Sequence, residues 1–210
     1  MNSKNTENEI HKNWCDGEFQ KKHAEARKKI ELYVQELNCR YIEKTGNGFL
    51  RYTESRMKTP ESICGKLERK GLPKEFETAV ERLNDISGVR GICYCLKEVY
   101  WIAKQIAKEE RFPIVKVKDY IEKPKKNGYE SYHIILQVPV IFEEVSDILP
   151  VELHIRTIVM DAWAGMDNRI SYKKKKLSPE LEKSIHKYAK IARRLDSLIQ
   201  KSLDEAKNEG

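Results

Sequence analysis

Ile148-Leu149-Pro150-Val151-Glu152-Leu153-His154-Ile155-Arg156-Thr157 decides how the chain reads. Side chains alternate across a strand, so Val151, Leu153 and Ile155 share one face while Glu152, His154 and Arg156 share the other. One face is fit for a core. The other carries three ionisable groups in a row, which fits an edge strand facing water or a metal or phosphate site. Upstream, Ser131–Phe142 and Phe112–Ile121 read as two more strands, and Glu98–Glu110 as a helix with Val99, Ile102, Ala103 and Ile106 inward. Ser87–Leu96 is a further strand candidate. The core order is therefore β-α-β-β-β.

Helices flank this core on both sides. Residues 18–43 place Ile30, Tyr33, Val34, Leu37 and Tyr41 on one stripe, and Gly46-Asn47-Gly48 ends that helix. Thr59-Pro60-Glu61 supplies an N-cap, a proline at the first helical position and an acidic first turn for a helix to about Lys70. A short helix follows Pro73. Thr157–Tyr172 reads as a helix, and Ser178 to about Lys207 as the longest one. Along that last helix Leu181, Ile185, Tyr188, Ala192, Leu195 and Ile199 step by alternating fours and threes, the spacing of a coiled-coil seam. At ~45 Å it is longer than a small domain needs, so a seam used partly between subunits is expected. The pattern gives an α+β fold, a mixed β-sheet flanked by helices with a long C-terminal helix. Its expected parts are an N-terminal helical region (1–50), a central sheet domain (51–172) and a basic segment with an oligomerisation helix (173–210).

The chain has 210 residues, 40% hydrophobic and 35% charged, which excludes wholesale disorder. No window approaches the length of a membrane span, and the polar N-terminus does not read as a signal peptide. Cys15, Cys39, Cys64, Cys93 and Cys95 form no CxxC pair, which points to a reducing cytoplasm over a zinc cluster or disulfide framework. The formal charge is +7, and it is local: residues 168–194 carry 10 Lys+Arg against 2 Asp+Glu, while residues 1–167 carry 28 against 27. The patch centres on Lys173, Lys174, Lys175 and Lys176. It is either a solvated helix face or a binding site for phosphate, nucleic acid or an acidic partner.

Two further stretches carry candidate chemistry. Arg82-Leu83-Asn84-Asp85-Ile86-Ser87-Gly88-Val89-Arg90 sets a carboxylate at a helix-to-strand junction between arginines, where Asp85 could hold Mg²⁺ and the arginines phosphate oxygens. A surface ion pair would look the same. Asp85 is a second carboxylate for Glu152, which favours the functional reading of the Glu152 face. Lys116 to His133 joins a basic strand, a basic loop and an aromatic cluster. Lysines there bind polyphosphate, a ring stacks on a base, and His133 contacts phosphate or is an internally satisfied histidine.

The segments RLNDISGVR, VKDYIEKPKKNGYESYH and VELHIRT, with the upstream Arg56-x-Lys58-x-x-x-Ser62, in that order resemble the synthetase domain of the RelA/SpoT alarmone synthetases. The resemblance runs from roughly Arg51 to Tyr172. The chain has no His-Asp dipeptide, so a small stand-alone synthetase without the family's hydrolase half is expected. The resemblance implies a nucleotidyltransferase-like sheet and transfer of the β,γ-pyrophosphate of ATP to the 3′-hydroxyl of GDP or GTP, yielding AMP and ppGpp or pppGpp. It gives Asp85 and Glu152 to Mg²⁺ and catalysis. It gives Arg56, Lys58, Lys66 and Arg90 to ATP. It gives Lys118, Lys123, Lys125, Lys126, Asn127, Tyr129, His133, His154 and Arg156 to the GDP or GTP acceptor. Tyr129 would stack on guanine. Two positions depart from the family pattern: His154 stands where glutamine is usual, and Asp167-Asn168-Arg169 where small synthetases read Glu-His-Lys. The partners expected are ATP, GDP or GTP and copies of the chain, as a homotetramer, with no membrane. RNA is a further candidate through the basic patch, as in small relatives that pyrophosphorylate the 3′ end of tRNA. A non-catalytic nucleotide- or RNA-binding module is the third reading.

Overall fold

The computed structural model describes residues 3–142, 144–171 and 177–208, with the side chains of 3–8 and 207–208 set aside. The elements are α1 (Ser3–Trp14), α2 (Gly17–Thr45), β1 (Leu50–Met57), α3 (Pro60–Arg69), α4 (Phe76–Arg82), β2 (Ser87–Cys93), α5 (Leu96–Ile106), β3 (Ile114–Asp119), β4 (Tyr132–Phe142), β5 (Val145–Thr157), α6 (Ile158–Ser171) and α7 (Pro179–Asn208). Five strands form one sheet in the order β1-β2-β5-β4-β3. Only β2 and β5 run parallel, and the other neighbours are antiparallel. The mixed sheet between helices is as the alternation required.

Register explains the two faces. Arg90 pairs with His154, His154 with His133, and His133 with Lys118, so one row of side chains crosses four strands on one face. Val89, Ile134, Leu136, Val151, Leu153 and Ile155 face the other way. There they bury against Ile30, Val34, Leu37 and Tyr41 of α2 and Val99, Ile102 and Ile106 of α5. Each of these side chains contributes roughly 1.5–3 kcal/mol by burial. Local chemistry sets the helix ends. Asp16 caps α2 by accepting from the Glu18 and Phe19 amides, and Gly46, at φ 78°, ends it in the left-handed conformation that glycine adopts without strain. Thr59 caps α3 as its sequence indicated.

A second apolar cluster joins α1, α3 and α4 through Ile10, Trp14, Ile63, Leu67, Leu83 and Ile86. Trp14 Nε1 donates to the Lys58 carbonyl at 2.9 Å, and the Lys58 amide donates to the Ile86 carbonyl at 2.9 Å. This cluster holds the segment that enters the site. Sequence reading left α1 unassigned, taking it as a polar terminus, and missed β1. Edge strand β1 reads Leu-Arg-Tyr-Thr-Glu-Ser-Arg-Met, polar on both faces, so no apolar alternation marks it.

Helix α7 packs on α6 and α5. Of the expected seam, Ile185 is buried and Tyr188 lies 6.2 Å from the Trp163 ring, so much of it turns into the chain's own core. The exposed apolar stripe is instead Ile191 (58% exposed), Leu195 (46%) and Leu198 (53%). Asp196, buried on the inner face, accepts from Thr157 Oγ1 at 2.8 Å. Burial pushes its carboxyl up to about 6, against the pull of that hydrogen bond. A carboxyl raised in the fold stabilises below its ordinary value of 3.8 and loses that contribution as pH climbs through about 6. Asp196→Asn keeps an acceptor for Thr157 and should therefore raise stability at pH 8 by about 2 kcal/mol. Urea unfolding at pH 5 and pH 8 checks this: the gain should shrink at pH 5, whereas an equal loss at both would contradict it.

Candidate active site

The polar face of the sheet opens into a cleft of about 520 Å³ under α6. Seven cations line it: Arg56 from β1, Lys58 from the β1–α3 link, Lys66 from α3, Arg90 from β2, Lys118 from β3, Lys125 from the β3–β4 loop and Arg156 from β5. The carboxylates are Asp85, Glu152, Asp161 and Asp167. Positive charge outnumbers negative, as a polyphosphate site requires. Gly88 lies in the row between Arg56 and Glu152 and leaves the floor there without a side chain.

Asp85 sits two residues before β2. Lys58 Nζ and Lys66 Nζ both donate to its Oδ2, and Lys58 Nζ lies 3.2 Å from its backbone carbonyl. Burial alone would raise the carboxyl, but the two ammonium groups win and hold it below its usual range. Burial also lowers Lys58. The other oxygen, Oδ1, is buried and has no hydrogen-bond partner. A carboxylate with one oxygen neutralised and one free suits a hard divalent cation such as Mg²⁺.

Glu152 is held differently. His133 Nδ1 lies 3.1 Å from Oε1 and His154 Nε2 2.9 Å from Oε2. The His154 contact is close but out of line for a hydrogen bond, leaving both ring nitrogens of His154 without one. The imidazoles stack at 3.8 Å with 19° between planes, which follows from their cross-strand pairing. Burial pushes both histidines down, His154 to about 3, so they are neutral near pH 7. Burial opposes ionisation of Glu152, yet the two imidazoles outweigh it and hold the carboxyl well below its ordinary range. Ligand atoms of His133, Glu152 and His154 lie within 4.8 Å of one another. Two nitrogens and one oxygen suit a borderline metal better than Mg²⁺, so Glu152 would join a magnesium site only by releasing an imidazole.

Arg156 links the rest. It is buried, and it donates to Tyr129 Oη at 2.5 Å, Ser131 Oγ at 3.3 Å and Asp161 Oδ1 at 3.2 Å. Tyr129 Oη lies 2.9 Å from His133 Nε2, and Tyr52 Oη donates to Asp161 at 2.7 Å. Lys125 Nζ stands 4.4 Å over the Tyr129 ring and 4.7 Å over Tyr120. Arg56 is pushed down by burial and then by the neighbouring cations Arg90 and Arg156.

Twelve expected residues thus meet in one cleft: Asp85, Glu152, Arg56, Lys58, Lys66, Arg90, Lys118, Lys125, Tyr129, His133, His154 and Arg156. Lys123, Lys126 and Asn127 are not among its lining residues. Asn127 Nδ2 bonds Asp167 on α6 at 3.1 Å, which makes it a strut between loop and helix. Tyr120 and Asp161 were missed, although Tyr120 falls within the basic–aromatic stretch. Lys173–Lys176 lie outside the described residues.

Residues 55–177 match the family model described as the region found in RelA / SpoT proteins. The chain is 38% identical over 184 residues to the GTP pyrophosphokinase YwaC of Bacillus subtilis, covering 84% of each protein. It is 26% identical over 175 residues to the GTP pyrophosphokinase YjbM of the same organism, covering 83% of this chain and 82% of that one. The crystal structure of small alarmone synthetase 2 from B. subtilis matches with a TM-score of 0.78 at 34% identity, over 87% of this chain and 96% of that one. Small alarmone synthetase 1 bound to its product pppGpp matches with a TM-score of 0.80 at 24% identity, over 88% and 94%, a likeness of fold.

Proposed function

The chain belongs to the RelA/SpoT family, and we propose that it is a GTP pyrophosphokinase that moves the β,γ-pyrophosphate of ATP to the 3′-hydroxyl of GDP or GTP. The observation that carries this reading is the gathering of seven cations in one cleft with Asp85, whose Oδ1 is free, beside the Tyr129–His133–Glu152 chain. Its relatives of that name support it.

In this scheme the acceptor O3′ forms a bond to the β-phosphorus, the bond from that phosphorus to the α,β-bridging oxygen breaks, and AMP leaves with that oxygen. Lys58 and Lys66 sit beside Asp85 to hold the migrating phosphates. Arg56 and Arg90 flank the same floor for the adenosine side. Mg²⁺ at Asp85 Oδ1 would supply charge neutralisation for the phosphate oxygens. Glu152, ionised and oriented by the His133 imidazole, takes the hydroxyl proton as the new bond forms. Its low basicity makes positioning the larger part of its work. Lys118 and Lys125 meet acceptor phosphates. Tyr129 offers its ring to guanine once Lys125 swings from it to a phosphate.

A tRNA acceptor is the second reading, favoured by the +8 carried on residues 168–194. ATP labelled in the pyrophosphate, offered with GDP, GTP, GMP or bulk tRNA, tests the two. Product should form with GDP or GTP. Glutamine at Lys173, Lys174, Lys175 and Lys176 should cost little activity. Product from tRNA alone, with a steep fall in added salt, would promote the second reading.

The exposed stripe Ile191, Leu195 and Leu198 supports the expectation of a homo-oligomer, proposed here as a tetramer. Leu195→Glu would set an unpaired charge in it. Light scattering should then show smaller species than wild type, and a wild-type monomer at micromolar concentration would contradict the proposal. No helix among the described residues is long and apolar enough to cross a membrane. A cytoplasmic location remains part of the proposal.

A further inference from the structure

The β3–β4 loop that brings Lys125 and Tyr129 to the cleft is pinned from outside by α7. Arg193 Nε lies 2.6 Å from Glu130 Oε1, and Arg193 Nη2 donates to the Ile121 carbonyl at 3.0 Å. One guanidinium thus ties both ends of the loop. His186 Nε2 reaches the Lys126 carbonyl, and its Nδ1 bonds the Glu182 carbonyl at 2.8 Å. Between these two points Gly128, at φ 87°, lies against Ala189 so closely that a Cβ would come within 2.5 Å of the Ala189 Cβ. Gly128 is thus fixed twice, by a backbone conformation that side chains rarely adopt and by the helix it touches. The helix is itself anchored to the catalytic strand, since Asp196, three residues beyond Arg193, takes the Thr157 hydroxyl hydrogen bond at the end of β5. The same α7 therefore fixes the distance between the strand carrying Glu152 and the loop carrying Tyr129.

We infer that α7 is a clamp on the acceptor loop and that Arg193 is a positioning residue for the acceptor. Arg193 is not among the residues lining the cleft, and it acts through Glu130 and Ile121. This inference rests on the reading of the loop as the GDP or GTP site. The guanidinium makes the choice of residue specific. A lysine in its place reaches Glu130 or the Ile121 carbonyl but has no rigid fork to serve both.

The test uses the full chain with Arg193→Ala, Arg193→Lys and, as an independent insult, Ala189→Leu, whose larger side chain must displace Gly128. Arg193→Ala should raise the KM for GDP about tenfold while the KM for ATP stays within about twofold, the scale of one charge-assisted hydrogen-bond pair on a half-exposed guanidinium. Arg193→Lys should recover part of the loss, and Ala189→Leu should reproduce the split. Amide hydrogen exchange over residues 120–130 should rise in Arg193→Ala with no nucleotide present, while exchange in β4 and β5 holds. That readout does not depend on turnover. A wild type that makes no product from ATP and GDP sinks the acceptor-site reading, while faster loop exchange in Arg193→Ala still upholds the clamp. Unchanged loop exchange, or equal loss toward ATP and GDP in an active variant, overturns the clamp.

Discussion

Asp85→Asn should abolish product formation, with a loss of at least about 10³-fold at saturating Mg²⁺. The reason is local. Asp85 does two things at once: Oδ2 neutralises Lys58 and Lys66, and buried Oδ1 has no partner. Asparagine matches the shape but cannot supply the charge. The two ammonium groups then repel each other beside a neutral amide, and the cleft loses its candidate ligand for a divalent cation. The same change should lower stability by about 1–3 kcal/mol, because breaking a part-buried ion pair leaves a charge uncompensated. Activity measured over a range of Mg²⁺, alongside urea unfolding, separates the two effects. A variant that keeps near-normal turnover across the whole Mg²⁺ range would remove Asp85 from the metal site.

Glu152→Gln should cost about 10²–10³-fold in turnover, the range of a lost positioned base. It should also change the acid side of the stability profile. The folded carboxyl lies below its ordinary value of 4.5, so its contribution is present above that pH and drains away as pH falls through the depressed value. In the glutamine variant the carboxylate's own acid-side loss is absent. His133 and His154, without the anion that favours their charged forms, stay neutral to lower pH and add to the loss below pH 6.5, so the acid-side profile changes shape. Parallel acid unfolding of wild type and variant reads this shape directly. Identical profiles would mean that the carboxylate is not held by the imidazoles as described.

The alternation of Val151 to Thr157 carried most of the fold, because a two-faced strand needs a helix layer on one side and a solvent cleft on the other. Stripes at Ile30–Tyr41 and Val99–Ile106 supplied that layer. Strand β1 escaped because an edge strand lining a polar site has no apolar face to advertise. The seam on α7 was legible as a repeat but not as a partner choice. Spacing cannot say whether Ile185 and Tyr188 meet α6 or another chain, and the inward turn of those residues moves the exposed stripe to Ile191, Leu195 and Leu198. At the site, the ordered motifs named the residues that line the cleft. They could not reveal that Asn127 props the loop on Asp167, that Arg156 bonds Tyr129, Ser131 and Asp161, or that α7 touches the loop at all. Those contacts join residues far apart in the chain, and no local pattern records them.

Incubation of the wild-type chain with GDP, Mg²⁺ and ATP carrying distinct labels on its β- and γ-phosphates separates pyrophosphoryl transfer from every simpler phosphotransfer. Both labels should arrive together on the guanosine product, in equal amounts, with one AMP formed for each. Arrival of the γ label alone with ADP released, or AMP formation without label on guanosine, would contradict the chemistry assigned to this cleft.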